Sequence, residues 1–234
     1  MPKARVGPEN WPTSLPYLSA SILSPDVPKD TLSTKALSSP SLEADVATIP
    51  PPQTPYSNIC ITPINDPAHP ACGQCGLFTT QVHAPDSFIC LYLGLVHSTQ
   101  AEPSAAFTDY NSHEPKSDYD LSLDRDLGLA IDANNMGNEA RFINDYRGIA
   151  DRPNAEFRDV IVKAKNGKRE RGVGVFVKAA KRDKKTKSKR QDDNGISKGA
   201  EILVSYGRGF WSARRAEAEE ATQATTDASL DGYS

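Results

Sequence analysis

AIDANNMGNEARFINDYRGIADRPN, residues Ala130 to Asn154, joins an apolar run to a segment that mixes bulky apolar side chains with hydrogen-bonding ones. A short apolar run, Leu127, Leu129 and Ile131, ends at Asp132, and a polar turn with Asn134, Asn135 and Gly137 follows. Ala140, Phe142 and Ile143 then supply apolar contacts, while Arg141, Asn144 and Asp145 bring hydrogen-bonding groups that need partners once covered. Polar groups set among bulky apolar ones describe a strand delivering the chain into a site, not a surface loop.

Around this stretch the chain divides by composition. Met1 to about Pro55 holds eleven of the 18 prolines, with serine, threonine and scattered single hydrophobics in no sustained period. Each proline removes an amide donor and biases its predecessor away from helix. Residues 1–55 therefore read as a disordered tail, with polyproline character at Pro50, Pro51 and Pro52. Order is expected from Tyr56, through a strand in YSNICITPI and a buried strand from Phe88 to Val96. Gln100 to Lys116 reads as a polar loop.

Alternation then predicts two short strands, Tyr119-Leu121-Leu123 and Leu127-Leu129-Ile131, joined by a turn at Asp124-Arg125-Asp126. A second pair is predicted around Phe157 to Val162 and Val173 to Val177, with Asn166-Gly167 as the hairpin signal. Many short strands and little helix imply a mostly β (α+β) domain. A basic, low-complexity insertion at about 178–198 reads as a solvated loop; a nuclear localisation signal or a phosphate contact through Lys178 to Arg190 are the alternatives. Ordered chain resumes over Ala200 to Trp211, and residues 212–234 form a tail of helical composition.

The formal charge of −3 is too small to imply a partner, and the mean hydropathy is negative. No apolar run reaches the roughly 18–20 residues that span a bilayer, and the first residues lack an apolar signal region, so a soluble intracellular chain with reduced thiols is expected. Cys72-Gly-Gln-Cys75 has the spacing of half a zinc site, but no second compact pair completes it, so no metal is assigned. Gly172-Val-Gly174 lacks the third glycine of a dinucleotide fingerprint and reads as strand.

The opening stretch resembles the signature of the SET-domain protein lysine methyltransferases, Gly-Asn-x-Ala-Arg-Phe-x-Asn-His-Ser-Cys-x-Pro-Asn. Gly137, Asn138, Ala140, Arg141, Phe142 and Asn144 match, and Pro153-Asn154 match the closing pair; Asp145 stands where the family has histidine. Three further segments follow the family order. Cys75-Gly76-Leu77-Phe78 is similar to Gly-x-Gly-Leu-Phe, with Gln74 at the first glycine; Leu91-Tyr92-Leu93-Gly94 is similar to Glu-Tyr-x-Gly, with Leu91 for the acid; Gly199 to Gly207 is similar to Gly-Glu-Glu-Leu-x-x-x-Tyr-Gly.

The resemblance covers about residues 56–211 and implies a β-clip fold of small sheets with a pseudoknot. It also implies an S-adenosylmethionine-dependent protein-lysine N-methyltransferase, a monomer, nuclear or cytoplasmic, whose partner is a lysine-bearing protein such as a histone. By the same resemblance Tyr206 is the catalytic tyrosine. Gly76, Leu77, Phe78, Arg141, Phe142, Asn144 and Tyr206 would hold the cofactor, and Tyr92 and Tyr119 would line the lysine channel. Gln74, Leu91 and Asp145 motivate the alternative, a SET-like protein-binding module without cofactor.

Overall fold

The computed structural model describes residues 7–33, 46–99, 117–163, 167–179 and 195–216. Twelve short strands build four small sheets among these residues: β1 (Ile22–Leu23), β2 (Ala47–Ile49), β3 (Ile59–Pro63), β4 (Cys75–Thr79), β5 (Phe88–Tyr92), β6 (Leu95–Ser98), β7 (Asp120–Asp124), β8 (Leu129–Asp132), β9 (Asn144–Asp145), β10 (Ala155–Lys163), β11 (Arg169–Val177) and β12 (Leu203–Val204). The sheet orders are β1-β6-β8-β7, β2-β10-β11-β5, β3-β4 and β12-β9. A helix spans residues 207–216. The mostly β class, with small sheets, is as expected.

The longest pairing, β10 with β11, is the predicted hairpin, in register from Ala155 opposite Val177 to Lys163 opposite Arg169. Asn166 lies outside the described residues, and Gly167 takes φ +78, a left-handed value that glycine adopts at no steric cost. Gly172 and Gly174 lie inside β11, so the Gly-x-Gly pair is strand and not a phosphate loop. Leu77, Ile89, Val96, Ile131, Val175 and Ile202 meet in the main core, each 0–1 % exposed. Burying a side chain of this kind contributes about 1.5–3 kcal/mol.

The apolar run from Phe88 to Val96 is two strands, not the single one expected. A Cβ on Gly94 would lie 2.2 Å from the Asp132 carbonyl oxygen, so the chain passes directly over the end of β8 and turns there. Asn138, wholly buried, locks this break: its Oδ1 accepts from Leu93 N–H (3.1 Å) and its Nδ2 donates to the Leu91 carbonyl (2.8 Å). Leu91, at the position of the family's acid, is core.

The tail reading of residues 1–55 is corrected for the part described. β1 pairs in parallel with β6, and β2 with β10. Leu18, Val27 and Leu32 are buried, and Trp11 stands edge-on to both Tyr17 (5.1 Å) and Phe142 (5.8 Å). The hydrophobics show no period because they are single anchors set between short turns, closed by hydrogen bonds such as Trp11 N–H to the Pro8 carbonyl and Thr31 N–H to the Pro28 carbonyl. The C-terminal helix begins at 207, earlier than the expected 212, so Phe210 and Trp211 belong to it. Residues 34–45, the loop 100–116, the core of the basic insertion (180–194) and the tail beyond 216 lie outside the described residues.

Candidate functional site

A backbone crossing creates the site. β12 pairs in parallel with β9, Leu203 opposite Asn144 and Val204 opposite Asp145. On its other side Asn154 holds the same segment: its N–H donates to the Leu203 carbonyl (3.0 Å), its Oδ1 accepts from Leu203 N–H (2.8 Å), and its Nδ2 donates to the Glu201 carbonyl (2.7 Å). Residues 201–204 are thus flanked by both ends of the loop 145–154, the crossing that the resemblance implied. It carries Tyr206 to Asn144.

Two cavities meet there. The larger, about 460 Å³, is lined by Arg141, Phe142, Asn144 and Asp145 from the central stretch and by Tyr206, Phe210 and Trp211 from the C-terminal part. Pro70, Ala71 and Gln74, from the turn between β3 and β4, and Cys75, the first residue of β4, complete it with Arg147 and Ile149. The smaller, about 100 Å³, is bordered by Tyr92, Tyr119, Phe157, Ser205 and Tyr206. Asp118, Tyr119, Arg141, Tyr206 and Phe210 line both, so the two spaces share a wall. Asp118 also ion-pairs with Arg214 of the C-terminal helix.

Tyr206 donates its hydroxyl proton to the Ile143 carbonyl (2.7 Å). Desolvation of that hydroxyl, with smaller contributions from Tyr119 and Asp145, pushes its pKa above the ordinary tyrosine value. Asp145 fixes the backbone on which Tyr206 rides. Its carboxylate, on a residue 7 % exposed, accepts from the Tyr206 N–H (2.7 Å), the Trp211 indole N–H (3.2 Å) and the Arg147 guanidinium (2.8 and 3.0 Å). Burial opposes its ionisation, but the N–H groups of Tyr206 and Arg147, the indole and the guanidinium together hold its carboxyl below the usual range. The aspartate at the family's histidine position is therefore the tie between β9 and the C-terminal helix.

Arg141 is immobilised by donating to the carbonyls of Ala133 (3.0 Å) and Asn134 (3.4 Å), with its guanidinium 4.4 Å from the Tyr119 ring centroid. Tyr92, 6 % exposed, donates to the Tyr119 carbonyl (2.6 Å), and desolvation raises its pKa. The long path before Pro153 is a turn, with Ile149 and Ala150 N–H groups bonded to the Tyr146 carbonyl and Gly148 at φ +79. A Cβ on Gly148 would stand 2.8 Å from Pro70 Cγ, so the added residues close down on the β3–β4 turn.

Of the residues expected at the site, Arg141, Phe142, Asn144, Tyr119 and Tyr206 line the larger cavity, and Tyr92, Tyr119, Arg141 and Tyr206 the smaller. Gly76, Leu77 and Phe78 do not line either cavity. Leu77 is fully buried core, and the face of Gly76 is filled by the Glu201 carboxylate, 2.6 Å from where a Cβ would be. The cavity contact of that segment falls instead on Gln74 and Cys75, because the chain enters the wall just before β4. Sequence reasoning also missed Arg147, Ile149, Phe210 and Trp211; only the aromatic pair Phe210-Trp211 directly after the tyrosine offered a signal.

Among the described residues no group of three or more His, Cys, Asp or Glu side chains is placed to hold a metal, and all four cysteines are free thiols. The residue set suits a nucleoside-bearing ligand instead. Its volume lies in the range of small-molecule sites. Phe142, Phe210 and Trp211 bring aromatic rings to the lining, and Asn144 directs its Nδ2 to Glu201 (2.8 Å) and the Cys75 carbonyl (3.5 Å), which leaves Oδ1 to accept from a ligand.

The SET domain family model matches residues 74–207 of this chain. No curated protein matches it. Among solved structures, the chain is similar to the crystal structure of the Chaetomium thermophilum polycomb repressive complex 2, at 20 % identity and a TM-score of 0.43, over 64 % of this chain and 15 % of that one. It is likewise similar to that complex in an autoinhibited conformation bound to S-adenosylmethionine, at 20 % identity and a TM-score of 0.43, over 69 % of this chain and 16 % of that one.

Proposed function

The chain belongs to the SET-domain family, and from that premise we propose that it is an S-adenosylmethionine-dependent protein-lysine N-methyltransferase. The larger cavity takes the cofactor and the smaller takes the lysine side chain. One observation carries this reading: Tyr206, on the family's tyrosine position, lines both cavities.

A bound S-adenosylmethionine supplies an activated methyl group on its sulfonium. The chain's part is to present a neutral amine to it. Free lysine, with a pKa of about 10.4, is charged at neutral pH; Asp118 and Asp120 in the lining attract that ammonium, while desolvation among Tyr92, Tyr119, Phe157 and Tyr206, with Arg141 alongside, opposes its charge. Tyr206 has committed its proton to Ile143, so its oxygen has only lone pairs to offer. An acceptor of that kind orients an amine N–H and favours positive charge at a methyl carbon. Arg141, fixed by two carbonyls and a ring, makes a stationary wall between the two spaces. Histones are the first candidates for the protein substrate, and the lysine-rich segment 178–198 is the candidate nuclear signal. The enzyme acts as a monomer.

The test is transfer of a labelled methyl group to a panel of histones and other lysine-rich proteins. Tyr206→Phe is expected to lower the rate roughly a hundredfold, the scale of losing one preorganised polar group, with cofactor affinity changed less than about threefold. Equal transfer by the variant would overturn the mechanism. Gln74 favours a second reading, a non-catalytic binding module, since it puts a long side chain on the cavity wall where the family has glycine. Calorimetry separates the two: a folded sample that takes up no S-adenosylmethionine is the module.

A further inference from the structure

Behind the larger cavity, two residues that do not line it form a hydrogen-bonded chain between two parts of its wall, the β3–β4 turn and β9. His69, in the turn between β3 and β4, has a side chain 11 % exposed, and Glu201, just before β12, has one 9 % exposed. The Ala71 N–H donates to His69 Nδ1 (3.0 Å), so that nitrogen carries no proton. His69 Nε2–H is then the donor to Glu201 Oε2 (3.0 Å). The other carboxylate oxygen, Oε1, accepts from Asn144 Nδ2 (2.8 Å). The route from the turn to β9 is Ala71, His69, Glu201, Asn144, with every donor and acceptor assigned.

We infer that His69 and Glu201 are positioning residues that set the spacing of the cofactor cavity and the orientation of the Asn144 amide. This rests on reading that cavity as the S-adenosylmethionine site. Asn144 has a neutral amide that presents either oxygen or nitrogen to a ligand, and Glu201, an acceptor only, decides the matter by taking the nitrogen. The site consequently selects a ligand that donates a hydrogen at this point. Gly76 fits the same account: a Cβ there would lie 2.6 Å from Glu201 Oε1, so the glycine keeps room for the carboxylate and not for the ligand.

The experiment titrates S-adenosylmethionine calorimetrically into the full chain and its variants, with thermal unfolding measured in parallel. Glu201→Gln is nearly isosteric, yet its amide cannot serve both neighbours. With oxygen towards Asn144 its nitrogen faces the His69 Nε2–H, and the Ala71 N–H forbids the other tautomer. Glu201→Gln and His69→Phe are each expected to weaken binding about tenfold, the scale of one hydrogen bond to a charged group. His69→Gln, whose amide still donates to Glu201, should stay within about threefold of wild type. Should His69→Phe fail to fold, the Glu201→Gln result decides alone. Folded variants that bind within twofold of wild type overturn the inference, as does lower thermal stability with unchanged affinity. No binding by wild type overturns the cofactor reading and this inference together.

Discussion

Glu139 and Asp145 belong to one stretch, and the protein holds their carboxylates by different means. Glu139 is 0 % exposed and accepts from the Tyr17 hydroxyl (both oxygens at 3.0 Å) and the Tyr56 N–H (2.9 Å), neutral donors from the N-terminal part of the chain. Asp145 takes its donors from Arg147 and from Tyr206 and Trp211 in the C-terminal part, one of them a cation. The stretch is therefore clamped from behind by the first residues and from in front by the last. The rear clamp fixes where Arg141 and Phe142 stand, and the front clamp fixes where Tyr206 stands. A fully buried carboxylate served by neutral donors alone has no solvent to replace a lost donor, whereas Asp145 is paired with a cation, Arg147, that reaches solvent.

Glu139→Ala should consequently cost the most, about 3 kcal/mol in urea unfolding, because it takes the acceptor from the Tyr17 hydroxyl and the Tyr56 N–H and leaves a void at a fully buried position. A loss below about 1 kcal/mol would show that the rear clamp is slack and break the comparison. Trp11→Ala removes a ring that packs on Tyr17 and Phe142 and should cost about 2 kcal/mol, less than a fully buried tryptophan because Trp11 is only half-buried. No measurable change would return the N-terminal residues to the status of a loose tail.

Asp145→Asn sharpens the contrast at its weaker side. Arg147 is more than a third exposed, so solvent screens the pair and the substitution should cost about 1 kcal/mol at neutral pH. Its signature is the pH dependence. The folded carboxyl titrates below its unfolded value of about 3.9, so its contribution is complete above that value and is lost as pH falls through the folded one. Stability curves of wild type and Asp145→Asn should keep a constant gap above about pH 4 and converge as the pH falls below it. Parallel curves would mean that Asp145 is not held in its charged form.

How much of this was legible in the sequence follows from the reach of each signal. The β10–β11 hairpin was readable because strand composition and its turn lie within a few residues of one another, and Gly167 marks the turn. The central stretch was readable because its chemistry is contiguous from Gly137 to Asn144. The N-terminal anchors were not, since single hydrophobics set between prolines carry no period, and only the notches that receive Trp11, Tyr17 and Leu18 reveal them. The break at Gly94 was missed because an apolar run contains no mark of a close backbone crossing.

By itself the sequence determined the mostly β class and the family, because these depend on residue types in a fixed local order. Tertiary structure alone decided which atoms line the site. The β9–β12 crossing brings Arg147, Phe210 and Trp211 to Asn144, moves the wall contact from Gly76 to Gln74 and Cys75, and sets Glu201 between His69 and Asn144. Hydrogen bonds and buried carboxylates are satisfied in space, by whichever chain segment the fold delivers, and sequence distance gives no measure of that.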